Sequence, residues 1–237
     1  RKELRRFFEV NRFYIVMTAL DALSRENKID KSQVKAAIDK YKTESALMVP
    51  THFVRMLALP VEVKEKYDVS SMKFAAHTGA KCPVDVMHEM IEWWGPIFRD
   101  AYGASEVGTV CAITSEEWLE NPGSVGKAIP PFTAYVLDED LNELPIATEG
   151  RLFFRDSTGR GIIYPNDPQK TAQANPEPGL FTLGEIGYIN ENGYVFITDR
   201  FSDMVVSGGV NIYPAEAEQI LIDHQEIADI GCIGIPH

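Results

Sequence analysis

Between residues 30 and 101 the chain alternates helical and strand patterns, and this alternation constrains the fold more than any other feature. Asp30 with Gln33 reads as a capped helix start, and Val34, Ala37, Ile38 and Tyr41 follow on one helical face. The apolar run Ala46–Val49 stops at Pro50, and Thr51 is placed to cap a short helix reaching Leu57. A second run, Phe74–Ala76, leads into the loop HTGAKCP (His77–Pro83). Pro83 suits a first helical turn, with Met87, Met90, Ile91 and Trp94 as the expected buried face. A strand over Ile97–Ala101 then runs into YGASE. Parallel strands need crossover connections, and helices of this length supply them. The expected fold class is therefore α/β with a largely parallel sheet.

The texture changes after Val110. Up to Ile197 short strands are separated by turn signals: Asn121-Pro122-Gly123, Asp138–Asn142, Glu149-Gly150 and Asn190–Gly193. A β-rich subdomain is expected over roughly residues 110–200. A hairpin-like VVSGGVNIY (Val205–Tyr213), a helix over Ala215–His224 and a strand over Ile230–Ile235 follow. That last strand leaves a βαβ unit without its partners, so the chain reads as part of something larger. Its 237 residues suffice for one large domain and the start of a second.

Composition narrows the function classes. Apolar residues make up 45% and charged residues 24%, as in an ordinary globular protein. The net charge of −12 leaves no broad basic face for nucleic acid. No run of about 18 apolar residues marks a transmembrane segment, and the start RKELRRFF lacks a signal peptide's apolar core, so a cytoplasmic location is expected. Cys82, Cys111 and Cys232 lie far apart and form no CxxC pair, and the five histidines lack metal-ligand spacing. A reducing compartment fits, and a protein-built metal cage does not.

Three stretches can carry chemistry. YGASEVG (Tyr102–Gly108) directly follows a strand, at the carboxyl end of a parallel sheet where open α/β folds bind ligands. Gly103 allows a sharp turn or a close backbone approach, while Ser105 and Glu106 offer a hydroxyl and a hard carboxylate suited to phosphate oxygen and Mg²⁺. Val107 stands where a serine-hydrolase elbow needs glycine, so that reading fails; a plain β-to-α loop would carry the same residues. In HTGAKCP, Gly79 and Ala80 are small enough to admit a flat ring or acyl chain. His77 reads equally as a ligand contact or a core histidine. Lys81 beside Cys82 suggests a lowered thiol pKa, but no histidine partner stands nearby, and a structural role for Cys82 is favoured. In the third stretch, Glu185 and Arg200 fall at opposite ends of a hairpin, where antiparallel pairing brings together two groups suited to a diol and to phosphate. Ser207-Gly208-Gly209 is a patch poor in side chains, able to line a tunnel or simply to turn.

Taken together these pieces resemble the adenylate-forming superfamily of acyl- and aryl-CoA synthetases, peptide-synthetase adenylation domains and luciferases. YGASE is similar to its Y-G-x-T-E, PGSVGKAIP to its P-x-S-V-G-x-P, and EGRLFFR to its G-E-[LI] strand. FTLGEIGYINENGYVFITDR and SGGVNIYPAEAEQIL resemble two further family segments, the latter in a form closer to CoA ligases than to peptide synthetases. The resemblance covers roughly residues 45–237. It implies that residues 1–200 are part of the large AMP-binding domain and residues 201–237 a hinge with the start of a small α+β domain.

Its further implications are specific. Tyr102 would stack on adenine, with Gly79, Ala80 and Gly103 bordering adenine and the acyl chain. Ser105 would meet the α-phosphate of ATP, and Glu106 would hold Mg²⁺. Glu185 and Arg200 would bind the ribose of ATP or AMP, Ser202 would lie in the hinge, and Ser207, Gly208 and Gly209 would line the coenzyme A tunnel. His52, Phe53 and His77 would shape the acid pocket. The implied reaction turns a carboxylic acid, an apolar one, into an acyl-adenylate and then an acyl-CoA.

There are departures. The family's Gly/Ser/Thr-rich phosphate loop and its C-terminal lysine are absent from these residues, Glu185 replaces the usual Asp, and Ser105 replaces Thr. The 237 residues alone are expected not to turn over. An adenylation domain loading a carrier protein, or a non-catalytic nucleotide-binding relative, are the alternatives.

Overall fold

The computed structural model describes residues 38–40, 42–66, 68–201, 205–207, 210–212 and scattered positions from 214 to 233. Ser202, Gly208, Gly209 and the helix expected to begin at Asp30 up to residue 37 lie outside the described residues. The described residues fall into two compact units. One consists of residues up to Asp100 together with Thr114–Leu119; the other consists of Ala101–Ile113 together with Glu120 onward.

In the first unit, β1 (Ser45–Met48) pairs in parallel with β2 (Phe74–His77), and β2 pairs in parallel with the opening residues of β3 (Phe98–Ala104). Two crossovers link these strands. The first contains α1 (Pro50–Leu57) and α2 (Val61–Lys66), and the second contains α3 (Val84–Trp94). Pro50 occupies the first turn of α1, where a missing N–H costs nothing. Thr51 lies inside that helix rather than capping it. Instead Nδ1 of His52 accepts a hydrogen bond from the Val49 N–H at 3.1 Å, and Val49 at the cap position has no side-chain oxygen to cap the helix itself. Helix α3 buries Met87, Met90 and Ile91 as expected, and Trp94 lies half-buried, stacked on Phe98. Gly95, at φ +82°, ends the helix. In α4 (Ser115–Glu120), the Ser115 hydroxyl accepts from the Phe98 N–H at 2.9 Å and donates to the Phe98 carbonyl at 3.0 Å.

The second unit is β-rich. The strands β6 (Phe132–Leu137), β7 (Gly150–Asp156), β9 (Glu185–Ile189) and β10 (Val195–Arg200) form an antiparallel sheet in the order β10-β9-β7-β6, with β8 (Leu180–Phe181) also on β7. Side chains alternate along β7: Leu152 and Phe154 enter the main core with Val110, Phe181 and Val195, while Phe153 enters a smaller cluster with Leu137 and Leu180. This strand is therefore apolar on both faces, and each buried phenylalanine contributes about 2–3 kcal/mol. Between β9 and β10 the chain turns on Asn190, whose Oδ1 accepts from Asn192 N–H at 3.0 Å and Tyr194 N–H at 2.9 Å. The pairing that follows carries a bulge between Ile197 and Asp199.

The strand β4 (Gly108–Thr114) pairs antiparallel with β5 (Lys127–Ala128), through Cys111 and Ala128. α5 (Pro168–Ala174) starts on Asp167, whose carboxylate accepts from the Lys170 N–H at 2.8 Å. The expected hairpin is present as β11 (Val205–Ser207) antiparallel to β12 (Val210–Ile212). Positions 214, 217, 218 and 221 are helical, in line with the helix expected there. Residues 230–233 carry no strand, contrary to the strand expected from Ile230, because no other described strand pairs with them.

Candidate active site

The strand expected to end at Ala101 continues through Ala104, so Tyr102 and Gly103 are strand residues rather than loop residues. The cause is a close backbone approach. A Cβ on Gly103 would lie 2.0 Å from the Gly108 carbonyl oxygen, so only glycine lets the chain fold back this tightly. Ser105–Val107 form the turn, closed by the Val107 N–H on the Ala104 carbonyl at 3.1 Å, and Ser105 and Glu106 stand exposed at its tip.

Tyr102 packs its ring against the core of the second unit, 5.9 Å from the Phe154 ring. Its hydroxyl donates to Oε2 of Glu185 at 2.6 Å. Burial, then the Glu185 charge and the hydrogen bond to it, push the phenol far above its ordinary pKa, so Tyr102 stays a donor. Burial also raises the Glu185 carboxyl, opposed by the Tyr102 bond and the Arg200 charge. Arg200 lies directly opposite Glu185 across the β9–β10 ladder. Phe201, the next residue, is fixed by its N–H on the Gly184 carbonyl at 2.7 Å, and the Arg151 guanidinium lies 4.7 Å from its ring.

One neighbour was missed from sequence. Tyr164 packs against the same core, and its phenol is raised by burial, then by the charge of Glu106 and a hydrogen bond to it. A tyrosine ending the run Gly161–Tyr164, just before the capped helix α5, was the available signal. Lys170 lies 4.1 Å from the Tyr164 ring centroid, and the Thr171 hydroxyl accepts from the Tyr164 N–H at 2.9 Å. These contacts hold the tyrosine from its far side.

The remaining sequence-derived positions belong to the first unit. Gly79, at φ +87°, and Ala80 are exposed, and the nearest atom a Cβ on Gly79 would meet is 3.9 Å away. Glycine is needed there for the backbone conformation rather than for space. Phe53 and His77 are fully enclosed, edge to face at 5.6 Å, and His52 is half-buried on its helix cap. The Cys82 thiol is pushed up to about 12 by burial, then by the charges of Asp100 and Asp85, the reverse of the lowering suggested by Lys81. Ser207 lies on β11.

A phenol, a carboxylate and a guanidinium thus converge on one side of the β-rich unit, near an exposed hydroxyl-and-carboxylate turn. A family model described as AMP-binding enzyme matches residues 13–161. The chain belongs to the AMP-binding enzyme family. The match begins at residue 13, well before the roughly residue 45 at which the motif resemblance starts.

Curated relatives match most of the chain. A long-chain-fatty-acid–CoA ligase of Bacillus subtilis is 32% identical over 212 residues, 88% of this chain and 37% of that one. Luciferin 4-monooxygenase of Photinus pyralis is 33% identical over 84% of this chain and 36% of its own length. Among solved structures, o-succinylbenzoate coenzyme A synthetase of Bacillus subtilis with its acyl-adenylate intermediate superposes with a TM-score of 0.74 at 23% identity. It is covered over 42% of its length by 89% of this chain and shows the same fold. The chain therefore spans about 37% of the length of the curated relatives it matches. Among the described residues, no helix is long and apolar enough to cross a membrane.

Proposed function

We propose that this chain supplies the nucleotide-binding part of an enzyme that activates a carboxylic acid with ATP and passes the acyl group to coenzyme A. Acid, ATP and CoA are its small-molecule partners. The observation that carries this reading is the Tyr102–Glu185 hydrogen bond of 2.6 Å, with Arg200 in register opposite Glu185. The bond holds the Tyr102 ring by its hydroxyl, and a ring so held offers a face to adenine while the carboxylate and guanidinium offer partners to ribose. The Ser105 hydroxyl, exposed at the turn, is assigned to the α-phosphate.

Mg²⁺ is commonly held by one or two carboxylates, with waters and substrate phosphates completing the shell. Glu106 fits that pattern. It is exposed and bonded to Tyr164, and no group of three or more metal-binding side chains occurs among the described residues. When bound, the ion would neutralise phosphate charge. Glu106 would be its protein ligand, with Tyr164 fixing the carboxylate from one side.

In the first reaction step the acid's carboxylate oxygen attacks the α-phosphorus and pyrophosphate leaves. The protein's contribution is orientation and charge complementarity. In the second, the CoA thiol attacks the acyl carbon and AMP leaves. Ser202 as hinge, with a smaller domain from residue 201, and Ser207–Gly209 along the CoA path remain assignments from family resemblance. Phe53 and His77, enclosed in the core, would shape an acid-binding wall from behind, with His52 nearer its surface.

The test supplies the intact protein with ATP, Mg²⁺, CoA and a panel of fatty and aromatic acids. AMP and an acyl-CoA should appear together. The relatives' names span CoA ligases and a monooxygenase, so AMP release without thioester would assign a different acceptor. Absence of AMP release with every acid would remove the ligase reading.

A further inference from the structure

Strand β7 has two faces. Leu152 and Phe154 enter the main core, where Tyr102 packs, while Phe153 and Arg155 lie on the opposite face. On that face Tyr135 of β6 pairs with Phe153, and Leu180 of β8 pairs with Arg155. A cavity of about 210 Å³ opens there. Its apolar lining is Leu137, Leu141 and Leu180 with Tyr135. Leu141 is held in place against a backbone cost, since its φ of +63° is an outlier for a bulky residue. The Asp138 carboxylate pins that turn, accepting from the Asp140 N–H at 2.9 Å and the Asn142 N–H at 2.8 Å. Leu141 in turn packs against Leu137, Phe153 and Leu180.

The rest of the lining is charged. Arg155 Nη2 donates to Oε2 of Glu177 at 2.9 Å, so those two charges offset each other. Glu143 adds a second carboxylate, and the lining holds no second base. A dry cavity of about 150 Å³ holds one benzene, so this one has room for a ring or chain with a short polar arm. An anionic arm would meet two carboxylates against one guanidinium. An ammonium would find one carboxylate that no base offsets.

We propose that this cavity is a second small-molecule site, for an organic cation in which a primary ammonium is joined by a short arm to an apolar ring or chain. The apolar part lies on the leucines and Tyr135, and the ammonium meets Glu143. The site is on the face of β7 away from Tyr102, so it stands apart from the nucleotide-binding reading above.

The test titrates the full chain with 2-phenylethylamine and, as an anion of like size, with 3-phenylpropionate, following backbone amide shifts by NMR at low salt. The amine should move the amides of Leu137, Leu141, Glu143 and Leu180 and saturate on the order of 1 mM. The carboxylate should bind about fivefold or more weakly. Glu143 is exposed, and Glu143→Lys turns the lining's excess of acid into an excess of base, so the order of the two ligands should reverse. Glu177→Gln serves if that variant fails to fold, and should weaken the amine while strengthening the carboxylate. An amine that leaves the four amides unmoved, binding no tighter than the carboxylate, or an unchanged order in a folded variant would each overturn the proposal. Saturating AMP should leave the amine titration as it was; competition would place the amine in the nucleotide site and overturn it as well.

Discussion

His77 should make the first unit sensitive to acid, and replacing it with an apolar residue should stabilise that unit. The ring is fully enclosed, and neither nitrogen has a hydrogen-bond partner among the described residues. Asp100 Oδ1 lies 3.7 Å from Nδ1, close enough to count as an ion pair were the ring charged but too long for a hydrogen bond. Burial wins over that carboxylate and pulls the His77 pKa down from 6.5 to about 4. The unfolded chain therefore binds a proton near 6.5 that the folded chain refuses until about 4. The stability in question is fully present above pH 6.5 and is lost as pH falls through about 4. Between pH 7 and pH 5 the loss comes to about 2 kcal/mol. His77→Leu removes this linkage and two buried polar atoms that lack partners, each costing about 1–3 kcal/mol. The variant should be more stable than the parent by about 1–2 kcal/mol at pH 7, and the gap should widen by about 2 kcal/mol at pH 5. All three tryptophans, Trp93, Trp94 and Trp118, lie in this unit, so urea unfolding followed by tryptophan fluorescence reports it selectively. A less stable variant at pH 7, or an equal gap at both pH values, would refute the reasoning.

Gly103→Ala would set a methyl 2.0 Å from the Gly108 carbonyl oxygen, and because that oxygen belongs to the backbone the strands must part. A loss of about 3 kcal/mol or more and of AMP binding is expected, read by urea midpoint and calorimetry; parental stability would contradict the packing described. Cys82 and Cys111 are buried and Cys232 is exposed, so a disulfide-exchange reagent at pH 8 should titrate one thiol quickly and the others only after denaturation. Rapid reaction of a second thiol would show that the burial is wrong.

What could be read from sequence divides along the range of the interactions. The crossover pattern before residue 101 was legible because strand runs and helical faces are local periodicities. The juxtaposition of Glu185 with Arg200 was legible because Asn190 and Gly193 announce the turn between them. The Tyr102–Glu185 bond was not, since it joins residues 83 apart and no pattern links them. Nor was the continuation of β3 through Ala104, which depends on Gly103 meeting a backbone five residues on. The apolar or aromatic character of Phe53 and His77 said that they could be buried, but not that they would be sealed from solvent. The helices Val61–Lys66, Ser115–Glu120 and Pro168–Ala174 are too short for helical periodicity to show.

The bulge in β10 makes the charge of the site a matter of counting. From Ile197 opposite Gly187, a regular ladder would bring Thr198 opposite Ile186 and Asp199 opposite Glu185, two carboxylates face to face. The extra residue advances the strand by one, and the position opposite Glu185 falls to a guanidinium instead. Two chains with the same acids and bases in this hairpin could thus present attraction or repulsion to a nucleotide, depending on one inserted backbone unit.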